Sequence, residues 1–279
     1  MGRCRQRIAL SACYQKKPFY DYYHFTILED VILLKKTKTM KAQEQIGNIV
    51  ATDYRSASIF RKYGIDFCCG GGKTVEAACQ AKGIDMQRVL SDLEALENKD
   101  NLANGNYNEW ELARLIDHIV NEHHAYVRTA TSDLLQYLHK VAKVHGDHNP
   151  ELIKILSKFQ QVAEELENHM HKEEFVLFPY IKSLEYSCTA SEPFSPPPFG
   201  TIRNPITMME NEHEMAGQLM EEIKSLSQDY TPPGHACNTY RVSFNLLAEF
   251  EEDLHKHVHL ENNILFPKAV KLEDEFLQS

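Results

Sequence analysis

The sequence predicts an all-α protein: a four-helix bundle made of two similar helix pairs, preceded by a small helical domain. Three observations carry that expectation. "HMHKEEFVLFP" (169–179) returns as "HVHLENNILFP" (257–267), so His-x-His-x-Glu precedes Leu-Phe-Pro twice, 88 residues apart. Each copy lies in a long stretch whose apolar residues recur at spacings of three and four, the period of a helix with one buried face. Pro-, Gly- and Ser-rich segments that cannot be helix separate those stretches.

The elements follow in chain order. Residues 1–39 lack periodic structure, and helix-like sequence begins at "MKAQEQIGNIV", so they are expected to be an extension or an upstream read-through ahead of a start at Met40. Residues 40–98 read as a small helical domain: a helix from about Tyr54 stopped by Gly64, a Gly-rich turn, a helix closed by Gly83, and the amphipathic "DMQRVLSDLEALEN". The polar, turn-rich segment 99–108 reads as a linker. The bundle occupies 109–279. Its first helix runs from about Glu109 to Val144 and its second from about Pro150 to Glu185. "SCTASEPFSPPPFG" is a loop, Asn204-Pro205 signals the start of a third helix ending near Asp229, and the fourth runs from about Asn238 to Leu272.

Composition excludes several classes. Hydrophobic residues make up 43% and charged residues 25%, which is ordinary for a globular chain. A net charge of −10 argues against nucleic-acid and anionic-membrane partners. No apolar run reaches the roughly 18 residues of a spanning helix. The apolar core "IALSA" near the N-terminus is too short for a secretory signal, and Gln6 stands where myristoylation needs Ser or Thr. Seven scattered cysteines make no disulfide framework and favour a reducing compartment. Thirteen of the 14 histidines lie at or after His118, so the excess belongs to the bundle.

Helical geometry selects among them. Residues four apart lie about 40° apart around the axis and roughly 6 Å along it, whereas residues two apart point in nearly opposite directions. His169 therefore shares a face with Glu173, and His257 with Glu261, while His171 turns away. Both pairs fall on apolar stripes, marked by Leu166, Met170 and Leu177 in one helix and Phe250, Leu254 and Ile264 in the other. The inward stripes of the remaining helices pass through His124 and His213. His123 competes with His124, because "NEHH" and "NEHE" align on His123; the spacing to the downstream motif, 45 residues from His124 to His169 and 44 from His213 to His257, favours His124. Buried carboxylates need compensating charge. Four imidazoles and two carboxylates that can bridge suit a pair of iron or manganese ions better than a single zinc. The other histidines, His118, His139, His148, His235, His255 and His259, read as surface; His145 reads as either a residue near the metal site or a helix-end histidine.

"DFCCGGGKT" is not a phosphate loop, because Phe67 stands where the first Gly is required. Cys68 and Cys69 instead read as a flexible, accessible thiol pair near a helix N-terminus, suited to metal relay or thiol exchange, with Cys79 near enough to join them.

Together "LIDHIVNEHHAYVR", "HMHKEEFVLFP", "MMENEHEMAGQL" and "HVHLENNILFP" resemble the hemerythrin-like domain of the iron–sulfur cluster repair di-iron proteins, and "FRKYGIDFCCGGGKT" resembles that family's N-terminal cysteine domain. The resemblance runs from about Met40 to Leu272; the N-terminal extension, Gly72 and Cys79 depart from it. It implies a cytoplasmic protein, often a homodimer, holding two non-haem irons with oxo and carboxylate bridges. The ligands it implies are His124, His169, Glu173, His213, His257 and Glu261, with Glu212 close by and Cys68 and Cys69 as relay or redox residues. The implied function is repair of damaged or apo iron–sulfur proteins after nitrosative or oxidative stress, by supplying iron. Reduction of nitric oxide at the same site and reversible sensing of oxygen or nitric oxide are the alternatives.

Overall fold

The computed structural model describes residues 41–97, 107–190 and 197–278, and the described residues are helical, without a β-strand. The extension 1–39, the Met40 start and most of the 99–108 linker lie outside them. The small domain comprises α1 (Ile46–Thr52), α2 (Ser56–Lys62), α3 (Val75–Lys82) and α4 (Met86–Glu97). Thr74 caps α3, its hydroxyl accepting from Ala77 N at 3.1 Å. Gly64 and Gly83 close α2 and α3 with φ of 62° and 65°, a left-handed conformation that glycine adopts without steric cost. Ile46, Val50, Phe60, Val75 and Leu90 are buried between these helices.

The bundle's first helix is α5 (Leu112–His118) joined to α6 (Ala125–His145) by a π-helical turn at Ile119–His124. The second is α7 (Glu151–Lys172), a π turn at Glu173–Leu177, and α8 (Phe178–Ala190). The third, α9 (Arg203–Leu226), is an uninterrupted α-helix. The fourth is α10 (Asn238–Leu260), a π turn at Glu261–Leu265, and α11 (Phe266–Gln278). α6 packs against α7 and α10, and α7 against α9. The start of α9 corrects the sequence expectation. Asn204 lies inside the helix, and the cap comes from Glu273 on α11, whose carboxylate accepts from Ile202 N at 3.0 Å and from the Thr201 hydroxyl at 2.6 Å.

The apolar core is divided in two. One part joins the small domain to the lower bundle through Phe67, Val127, Leu166, Met220 and Val258. The other contains Ile116, Ile119, Leu177, Met209 and Ile264. Between them lies a layer of buried polar groups: His124, His169, Glu173, His213, His257 and Glu261, none more than 2% exposed.

Candidate metal centre

The six side chains form two overlapping groups. His124 and His257 converge with Glu173 and Glu261; His169 and His213 converge with the same two carboxylates. Glu173 Oε2 lies 3.4 Å from His124 Nε2 and 3.3 Å from His169 Nε2. Glu261 Oε1 lies 3.0 Å from His257 Nε2, and its Oε2 3.1 Å from His213 Nε2. Each carboxylate thus reaches both groups, as a bridging ligand must. All three π turns fall at this layer, where helices with functional sites often carry them.

Opposite ring edges are held from outside. Glu174 Oε1 lies 2.7 Å from His124 Nδ1, Glu212 Oε2 2.9 Å from His169 Nδ1, and Asn262 Oδ1 2.9 Å from His213 Nδ1. With Nδ1 donating outward, each of these three Nε2 atoms points inward, where it would ligate a metal once it carries no proton. The inward nitrogens lie close to one another: His124 Nε2 is 3.1 Å from His257 Nε2, and His169 Nε2 is 3.0 Å from His213 Nε2. Both oxygens of Glu173 and Oε2 of Glu261 lack a well-formed hydrogen bond despite complete burial. Converging nitrogens and under-satisfied buried carboxylates fit cations, and neutral protein groups cannot supply that charge.

The two carboxylates also govern how tightly the neighbouring imidazoles hold their protons. Burial is the largest single influence on His124 and opposes its charge, but Glu173 and Glu261 outweigh it and push its pKa up to about 10. His169 behaves alike: burial opposes its charge, yet Glu173 and Glu212 raise its pKa to about 10. Burial opposes ionisation of both carboxylates, and the charge of Glu261 adds to it at Glu173, but the surrounding imidazoles hold both below the usual range. Hydrogen bonding from His169, reinforced by Lys172, holds Glu212 down to about 2. Metal held by these groups would therefore displace protons from His124 and His169. Adding ferrous ion to metal-free protein in weak buffer near neutral pH should release roughly two protons per chain, read by an indicator dye. Binding should weaken as pH falls, because protons then compete better for Nε2. Uptake without proton release would contradict this arrangement.

The structure sorts the remaining predicted residues. His123 is buried but turned aside: its Nδ1 lies 2.9 Å from Asp253 Oδ1, and its ring stacks on His257 at 5.7 Å. His171 is exposed and packs on Phe175. His145 is not near the site: 21 residues along the helix from His124, about 30 Å away, it pairs with Cys237 Sγ at 3.3 Å. His259, read as surface, is buried, because Tyr54 and Phe67 of the small domain cover it. His118 and His255 are half-buried. Sequence reasoning missed Glu174 and Asn262. Their shared position, one residue after each inward glutamate, was the available signal.

The cysteine loop is less open than expected and does not start a helix, since five residues separate Cys69 from Val75. Asp66 folds it: Oδ1 accepts from Cys68 N at 2.9 Å and Cys69 N at 3.1 Å, and Oδ2 from Gly70 N at 2.9 Å. Cys69 is exposed, whereas Cys68 is buried with Sγ 3.1 Å from Asp66 Oδ1. Hydrogen bonding with Cys69, burial and the charge of Asp66 push the Cys68 thiol well up. Cys79 packs in the small-domain core. A cleft of about 1040 Å³ runs from Cys68 and Cys69 past Met220 and Leu254 to His213. It links the loop to the polar layer.

Residues 42–97 match a family described as a domain of unknown function, DUF542, and residues 115–269 match the hemerythrin HHE cation binding domain. The chain is 34% identical over 232 residues to a probable iron-sulfur cluster repair protein of Haemophilus influenzae, covering 82% of this chain and 97% of that one. It is 36% identical over 228 residues to the iron-sulfur cluster repair protein YtfE of Escherichia coli O157:H7, and 37% identical to that of Cronobacter sakazakii; each alignment covers 81% of this chain and 96% of the relative.

Proposed function

The chain belongs to the iron–sulfur cluster repair family, and from that premise we propose that it carries two non-haem irons and supplies iron to damaged or apo iron–sulfur proteins in the cytoplasm. One observation carries the reading: two buried groups of four ligands share both carboxylates. His124 and His257 with the two carboxylates, and His169 and His213 with the same two, would offer each metal a nitrogen- and oxygen-rich set that suits iron in a helical bundle. If bound, iron would supply the cargo for repair and a redox-active centre.

The protein's own groups divide the work. Glu174, Glu212 and Asn262 hold three imidazoles with Nε2 inward. The surrounding apolar layers exclude water and keep the ligands in place. The cleft gives a way out past His213, and Cys69 stands exposed at its far end. Asp66 fixes the loop backbone, so the two sulfurs meet an incoming ion together. Cys68 would give up its proton to hold an ion, and hydrogen bonding with Cys69, burial and the charge of Asp66 favour the thiol otherwise.

A single-turnover experiment tests the reading. Reduced, iron-loaded protein is mixed with an apo iron–sulfur protein, sulfide and a thiol reductant, and in a parallel run with nitric oxide alone. Cluster absorption in the client, rising as iron leaves this chain, is the expected result. Rapid consumption of nitric oxide with no iron reaching the client would overturn donation.

A further inference from the structure

The two residues after Glu261 perform different tasks within one turn. Asn262 holds His213 Nδ1, which aims Nε2 of that ring at Glu261 Oε2. Asn263 points to the small domain, where its Nδ2 donates to the carbonyl of Cys68 at 3.0 Å and lies 3.2 Å from His259 Nδ1. The π turn Glu261–Leu265 therefore carries a proposed metal ligand, the support of a second ligand and a clamp on the cysteine loop.

The loop is shaped to receive that clamp. A Cβ at Gly71 would collide with Asn263 Oδ1 and come within 2.7 Å of the Phe67 carbonyl; one at Gly47 would also strike Asn263 Oδ1. Gly47 N donates to Gly71 O at 2.8 Å, closing a backbone collar beside the amide. A Cβ at neighbouring Gly72 would meet open space.

The duplicated bundle contains its own control. In the equivalent turn, Glu173–Leu177, Glu174 supports His124 as Asn262 supports His213. The counterpart of Asn263 is Phe175, which is 67% exposed. The equivalent turn of the bundle thus does without an amide at this position. Asn263 serves the cysteine loop, with His259 beside it.

We propose that Asn262 and Asn263 are a positioning pair that couples occupancy of the metal site to seating of the cysteine loop. The proposal rests on the metal-site reading above. Metal held by His213 and Glu261 fixes the turn, and the fixed turn keeps Asn263 on the Cys68 carbonyl. Loss of metal frees the turn, and the loop loosens. A π turn holds an extra residue, and packed elements of this kind shift between discrete arrangements rather than flexing continuously. Coupling is reciprocal: the factor by which metal favours the seated loop is the factor by which the seated loop favours metal.

The test reads the buried Cys68. Full-length protein, metal-free or loaded with ferrous ion, is treated anaerobically with an aromatic disulfide, and modification of Cys68 is followed by peptide mass spectrometry. Metal content is measured first. In the unaltered protein, loading should slow Cys68 modification by about five- to 150-fold. Asn263→Asp keeps the size but removes the N–H donors, so Cys68 should react fast with or without metal. Asn262→Ala should lose the metal dependence, while Asn262→Asp, which still accepts from His213, should keep it. Failure to bind metal would refute the metal-site reading and the coupling with it. Metal bound with no change in Cys68 rate in the unaltered protein would overturn the coupling alone, whatever the variants do. Intact metal dependence in Asn263→Asp would overturn the role of Asn263.

Discussion

Glu173→Ala and Glu261→Ala should each empty the metal site rather than half of it. Each carboxylate belongs to both proposed ligand groups, so removing one would leave each metal position with a single carboxylate. The surrounding changes should form a graded series. Glu174→Ala and Glu212→Ala remove groups that only orient an imidazole, and should weaken metal binding by about 10- to 100-fold. Glu173→Ala and Glu261→Ala should exceed that range and leave protein that purifies without metal. His171→Ala should bind like the unaltered protein, since that ring lies on the exposed face. Metal analysis after expression in iron-rich medium reads the series. Equal losses in His171→Ala and Glu173→Ala would refute the assignment of the inward face.

The second large effect separates the domains. The Cys68→Ala/Cys69→Ala variant should keep its metal and its absorption spectrum, because all six proposed ligands lie on the bundle helices. Alanine fits the buried Cys68 position without overpacking. The same variant should lose most of its ability to restore a client's cluster, by ten-fold or more. Nitric-oxide consumption by the reduced bundle should change far less, since that chemistry needs only metal with an open position. Full restoration without either thiol would reduce the loop to a structural turn.

Much of this was legible because helices repeat. The His-x-x-x-Glu pairs declare a shared face at any position in a helix, and their return after 88 residues makes coincidence a poor explanation. What stayed hidden depends on partners distant in sequence. Glu174 looks like a surface neighbour of His171 until the π turn Ile119–His124 brings His124 against it. His259 falls on the side expected to face water and is buried only because Tyr54 and Phe67 pack there. The π turns escape a reading at 3.6 residues per turn, although they set the angles of Glu173 and Glu261. Asn204-Pro205 carries a good local cap signal that Glu273, 69 positions later, overrides.

The central claim, that a duplicated motif builds one two-metal site with shared carboxylates, is tested most directly by metal stoichiometry combined with Mössbauer spectroscopy. Protein expressed with isotopically enriched iron, then oxidised, should hold two irons per chain whose signals show antiferromagnetic coupling through the bridging groups. One iron per chain, two uncoupled irons, or stoichiometric zinc after iron-rich expression would contradict it.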